Sequence, residues 1–116
     1  MAMKQEERSA AARVFRAMGH PVRLGILEVL RDGPKTVGEL QRELGCSQSV
    51  MSQQLQTLEY HGLIASIREG SFKHCSLCNR DVLNMLECVR RHLHCYLSGS
   101  GFGPHLRESP ERKPEG

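Results

Sequence analysis

Apolar residues recur every three or four positions at Ala11, Val14, Phe15 and Met18 among good helix formers, and Gly19 follows as a stop. This spacing predicts a first amphipathic helix from about Glu6 to Met18. Pro21 stands where a first helical turn tolerates it, and Leu24, Ile26, Leu27, Val29 and Leu30 form a broad apolar face before Asp32-Gly33-Pro34 ends the run. A second, well-buried helix is expected there. Thr36 precedes Val37-Gly38-Glu39 in a T-x-x-E capping box, and Val37, Leu40 and Leu44 line one face of the short helix it opens. Gly45 closes that helix, Ser47 caps the next, and Val50, Met51, Leu55 and Leu58 make its apolar side before His61-Gly62. Two short helices joined by a tight glycine-containing turn form a helix-turn-helix.

Beyond it the period changes. Leu63 to Ile67 and Phe72 to Leu77 read as short strands around Arg68-Glu69-Gly70-Ser71, whose glycine supplies the positive φ of a hairpin turn. From about Asn79 to Leu97 the helical period returns, with Val82, Leu86, Val89 and Leu93. Residues 98–116 are dominated by Gly, Ser, Pro and charge, too poor in apolar surface to offset the entropy of ordering, and are expected to be disordered. The fold class is therefore mainly α with a small β-hairpin, a winged helix-turn-helix spanning residues 1–97.

Composition narrows this picture. The 116 residues suit one domain, and the 4% of aromatic residues requires a core of Leu, Ile, Val, Met and Ala. No apolar run approaches the roughly 20 residues of a membrane helix, and Met1 to Glu7 resembles no leader, so a cytoplasmic protein is expected. Five cysteines, an odd number, fit reduced thiols better than a disulfide framework. The net charge of +3 permits nucleic-acid binding without requiring it. No arrangement of nucleophile, base and oxyanion stabiliser is visible, so an enzyme is not expected.

At 100° per residue, Gln48, Ser49, Ser52, Gln53 and Gln56 fall on one arc of the second motif helix, opposite its apolar side. Together with Ser47 they form an uncharged face able to read base edges, Gln pairing bidentately with adenine. A face that met only water would more usually carry Lys or Glu. On the hairpin, Arg68, Lys73 and His74 are placed to meet phosphate or the minor groove.

These residues resemble a known family, the ArsR/SmtB family of metal-responsive winged-helix repressors named for its arsenic and metallothionein repressors. The likeness covers residues 10–95 and rests on Met18-Gly19-His20-Pro21-Val22-Arg23-Leu24, Val37-Gly38-Glu39-Leu40, Ser47 to Leu55, and Gly62-Leu63-Ile64 followed by a wing. The resemblance implies a homodimer through the first and last helices, with a recognition helix at Ser47 to Tyr60. It also implies release from double-stranded DNA when an inducer binds. Two such helices on a two-fold axis would read half-sites about one helical turn apart.

Cys75 and Cys78 lie where the wing meets the last helix, and Cys88, His92 and Cys95 follow at i, i+4 and i+7. With Asp81 and Met85, the last-helix positions share an arc of about 80° beside the apolar stripe. Thiolates with an imidazole suit trivalent arsenic, cadmium, lead or zinc, so these five residues are the candidate ligands of a thiophilic inducer, arsenite foremost. The alternative for each cysteine is a small core hydrophobe, which is the reading for Cys46. The family's site in the first motif helix would need cysteines where Thr36, Gly38 and Gln41 stand, so that site is absent. Its last-helix zinc spacing falls on Asn79, Asp81, His92 and Cys95, softer in chemistry than the family pattern. Two rival readings keep the fold: a reactive-sulfur or redox-responsive repressor, although Gln41 holds the position expected of a partner thiol, and a protein-interaction module without DNA.

Overall fold

The computed structural model describes residues 2–98, so the expectation of a disordered tail falls almost entirely outside the described residues. Helices α1 (Gln5–Met18), α2 (Pro21–Val29), α3 (Val37–Leu44) and α4 (Gln48–Tyr60) come first, followed by the hairpin and α5 (Val82–Ser98). The chain forms two compact units, one ending at Leu83 and one beginning at Asn84 within α5. Among the described residues no helix is long and apolar enough to cross a membrane.

The first unit is organised around an aliphatic core. Ile26 and Leu27 of α2, Leu40 of α3, and Met51, Leu55 and Leu58 of α4 are all but completely buried, with Leu30 and Ile64 beside them. Each such side chain contributes about 1.5–3 kcal/mol through burial, and none of these positions is aromatic. Helix starts follow local chemistry. His20 Nδ1 accepts from the Val22 N–H at 3.1 Å, which places Pro21 at the first helical position. At α3, Thr36 Oγ1 accepts from the Glu39 N–H at 3.1 Å while Glu39 Oε1 accepts from the Thr36 N–H at 2.8 Å, the reciprocal box its sequence calls for.

The expected hairpin is present, β2 (Ile64–Glu69) pairing antiparallel with β3 (Phe72–Leu77), but a third strand, β1 (Lys35–Thr36), extends it in the order β1-β3-β2, and several boundaries differ from those expected. Two residues after a proline, the second of them the α3 cap, carry no alternation, so β1 leaves no pattern to read. The turn shrinks to Gly70-Ser71, because Glu69 and Phe72 already pair and Gly70, at φ 62°, takes the positive φ of the turn. Leu30–Asp32 form a separate 3-10 turn. The last helix starts at Val82 rather than Asn79, since Asn79 Oδ1 accepts from the Asp81 N–H at 2.8 Å and holds an Asx turn before it. Val50, expected on the apolar side of α4, lies at the surface.

Candidate nucleic-acid interface

The interface begins with the turn between α3 and α4. Gly45 adopts φ 64°, ψ 38°, a left-handed cap that only glycine takes without cost, and Ser47 Oγ accepts from the Val50 N–H at 3.2 Å to open α4. Met51, Leu55 and Leu58 then anchor the inner side of α4 in the core. Their spacing fixes the opposite face. Ser47, Gln48, Ser49, Ser52, Gln53 and Gln56 are all exposed, as the sequence expects. The side chains of Gln48, Ser49, Ser52, Gln53 and Gln56 make no hydrogen bond to any described residue. Gln54, one position off this face, is instead held by Arg23 Nη1 at 2.8 Å.

The hairpin completes the surface. In its register Ser66 opposes Cys75 and Arg68 opposes Lys73, so these four share a face with buried Ile64. That face turns toward α4, and Arg68 and Lys73 line an open cleft together with Gln48, Ser49, Ser52, Gln53 and Gln56. The Ser and Gln face and two of the three expected wing residues thus border one space. His74 is the exception. It lies on the other face of β3, opposite Ile67 and beside Thr36 of β1, with Nε2 3.5 Å from Glu69 Oε1.

Arg68 is exposed and without a partner among the described residues. Lys73 is not free: its Nζ lies 3.1 Å from Glu59 Oε2, the same oxygen that accepts from Ser66 Oγ at 2.6 Å. Burial pushes the Glu59 carboxyl up, but the Ser66 hydroxyl and the Lys73 ammonium outweigh it and hold the group below the ordinary glutamate range. Arg42, at the end of α3, lines the same cleft and was not singled out from sequence. Its only sequence signal is a place on the polar side of the first motif helix.

The cysteines divide by burial. Cys75 is fully buried, and burial pushes its thiol up against the opposing influence of the Ser66 hydroxyl, so it sits in the core as a neutral thiol. Cys78, just past the end of β3, is exposed, so Cys75-x-x-Cys78 does not offer two accessible sulfurs. Cys46 is partly buried, while Cys88 and Cys95 are exposed on α5 with His92 between them on the same stripe. The Arg91 guanidinium approaches Cys88 Sγ at 3.9 Å. Within neither compact unit, among the described residues, do three Cys, His, Asp or Glu side chains gather as a ready ligand set.

Comparison with known proteins follows the same lines. A family model described as a helix-turn-helix domain matches residues 18–67. The transcriptional activator HlyU of Vibrio cholerae is 38% identical over 93 residues, covering 79% of this chain and 85% of that protein. A solved structure of HlyU superposes with a TM-score of 0.70 at 34% identity, covering 79% and 99% of the two chains. A homodimeric winged helix-turn-helix DNA-binding domain of a possible ArsR-family regulator from Mycobacterium bovis gives a TM-score of 0.69 at 25% identity, covering 89% and 99%. The transcriptional repressor BigR from Xylella fastidiosa gives 0.65 at 27% identity, covering 73% and 87%.

Proposed function

The chain belongs to the ArsR/SmtB family of winged helix-turn-helix transcriptional regulators, not enzymes, and from that membership we propose a cytoplasmic homodimeric repressor released from its operator by a thiophilic metal or metalloid. The observation that carries the DNA-binding half is the partner-free Ser and Gln face of α4, opening with Arg68 into one cleft. Its buried side is fixed in the core, so the helix that carries the reading groups is in place before DNA arrives, and only the side chains' own rotamers remain to be ordered on meeting a base edge. Arg68 and Arg42 add cationic contacts that position without specifying sequence.

Dimerisation is supported by apolar residues left uncovered on the first and last helices. Phe15 of α1 is 63% exposed, and Val89, Leu93 and Leu97 of α5 are 53%, 41% and 77% exposed. Such surface on single helices calls for a covering partner, and the Mycobacterium bovis domain is homodimeric. The relatives act in both senses, HlyU by name an activator and BigR a repressor. Repression is the sense we assign, because departure of the dimer on ligation relieves a block.

Cys88, His92 and Cys95 are the accessible soft donors on α5, and they carry the proposed ligation of arsenite, or of cadmium, lead or zinc. Cys78 is a further exposed thiol, whereas Cys75 would have to leave the core to take part. A second reading, release by reactive sulfur or oxidant, is favoured by the same exposed thiols, and HlyU has a solved structure in its reduced form. Fluorescence anisotropy of the reduced protein on DNA upstream of its own gene tests both. Release by arsenite, cadmium, lead or zinc, lost in Cys95→Ser, supports the metal sensor. Release only by a persulfide donor, reversed by reductant, supports the sulfur sensor, and absence of DNA binding refutes both.

A further inference from the structure

An anion stands within the DNA-facing half of the molecule, joined to both strands of the wing. Glu59 lies in the last turn of α4, where its Oε2 accepts from Ser66 Oγ of β2 at 2.6 Å and lies 3.1 Å from Lys73 Nζ of β3. The oxygen-to-oxygen contact is at the short end of charge-assisted hydrogen bonds, and the side chains of Lys73 and Glu59 are each about one-third exposed, 36% and 32%. Both strands are thus tied to the recognition helix through one carboxylate. No other hydrogen bond or ion pair joins a side chain of α4 to the hairpin among the described residues. Arg68, on the same sheet face, borders the cleft with Gln53 and Gln56 of α4.

We propose that Glu59 is a positioning residue for DNA recognition: its carboxylate clasps the wing to the recognition helix, so that Arg68 and the Gln face meet one duplex in a fixed relation. The inference rests on the DNA-binding reading above. Charge alone predicts the opposite of what the clasp predicts. Removing an anion beside a phosphate-binding surface should tighten binding to any duplex, since electrostatic affinity follows the cations facing the phosphates. If the clasp selects one wing arrangement, its loss multiplies operator affinity by the fraction of molecules still in that arrangement. Non-specific binding, which needs no fixed register, keeps its strength or gains.

The test uses a duplex selected by the wild-type protein from a random-sequence pool, and a scrambled duplex of equal length, at one salt concentration. Glu59→Ala should weaken binding to the selected duplex about fivefold or more while leaving the scrambled duplex bound as well as or better than by wild type. Glu59→Gln, which still accepts from Ser66, should recover part of the loss. Ser66→Ala keeps the charge pair and removes the hydrogen bond to Glu59, along with the hydroxyl's contact to buried Cys75, so it should shift the ratio in the same direction even if Glu59→Ala fails to fold. Effects of Glu59→Ala and Ser66→Ala that fall short of additivity would place both residues in one device. Unchanged or tighter binding of Glu59→Ala to the selected duplex overturns the proposal, as does an equal loss on both duplexes with a matching fall in Tm. Failure of the wild type to select any duplex removes the DNA-binding reading itself, a result distinct from each of these.

Discussion

Gln53 and Gln54 are neighbours on one helix, yet their side chains are assigned to different tasks, and substituting each by alanine separates recognition from stability. Gln54 accepts from Arg23 Nη1 at 2.8 Å, and Arg23 Nε is buried with no partner, so Gln54 supplies the guanidinium's hydrogen bond to α4. A hydrogen bond to a charged group contributes about 1.5–3 kcal/mol, and its loss leaves a partly buried cation worse satisfied. At about 4–8 °C per kcal/mol for a domain of this size, Gln54→Ala should lower Tm by at least about 6 °C. Gln53 is exposed and without a side-chain partner, and alanine favours helix, so Gln53→Ala should move Tm by less than about 3 °C. The DNA effects should be reversed. Losing a bidentate contact to a base costs about 1–3 kcal/mol, roughly fivefold to 150-fold in affinity for the matched site. Gln54→Ala, assayed well below its melting point, should keep the wild-type preference between matched and mismatched duplexes. Circular dichroism melting and fluorescence anisotropy on the same preparations decide the matter. A Gln54→Ala protein that melts with wild type, or a Gln53→Ala protein with unaltered affinity and preference, would refute the assignment of faces.

Three further outcomes follow from local chemistry. Thr36→Ala removes the Oγ1 acceptor that caps α3 and should cost about 1 kcal/mol, seen as a Tm lower by about 4–8 °C, while Thr36→Ser restores the cap and most of the stability. Glu59 has a depressed carboxyl pKa in the folded protein, so its stabilisation is complete above the unfolded value near about 4.3 and is lost as pH falls through the lower folded value. The Tm advantage of wild type over Glu59→Gln should therefore shrink on acidification below that range, and an advantage that grows there would contradict the sign. Cys75→Ser exchanges a fully buried thiol for a more polar hydroxyl and should destabilise by about 1–3 kcal/mol in urea melts, with Cys75→Ala less costly.

The helix order and the recognition face were legible because they depend on chemistry within a few residues: a capping box at Thr36, a left-handed glycine at Gly45, and apolar spacing along α4. Those rules also located the start of α2 at His20-Pro21. What could not be read depends on long-range pairing. β1 exists only because Lys35 and Thr36 reach Cys75 and His74, and two residues hold no period. The ties of Lys73 to Glu59 and of Arg23 to Gln54 are equally non-local, so the sequence presents Lys73 as a free cation and, while helix angle sets Gln54 off the recognition arc, names no partner for it. His74 was misleading for a simpler reason. Alternation along β3 puts it on the opposite face from Lys73, and the face that turns toward α4 is settled by burial of Ile64 and Cys75.

Burial and helix geometry together constrain how this chain could sense a soft ion. Cys75 is spent on the core, so ligation must begin with exposed sulfur, and α5 offers Cys88 and Cys95 on one stripe. Seven residues of helix rise about 10.5 Å, whereas two zinc–sulfur bonds of about 2.3 Å each bring their sulfurs within about 4.6 Å. A single ion therefore does not readily take both thiols from one helix. On the proposed reading an ion would take Cys88 with His92, one turn apart, or His92 with Cys95, three residues apart, and in either case would need further donors from outside that stretch. A monomer's α5 is an incomplete site for arsenite, which seeks several thiolates. The uncovered Val89, Leu93 and Leu97 mark the same helix as the surface where a second copy is expected, so in the proposed sensor dimerisation and completion of the ligand set would fall on one element.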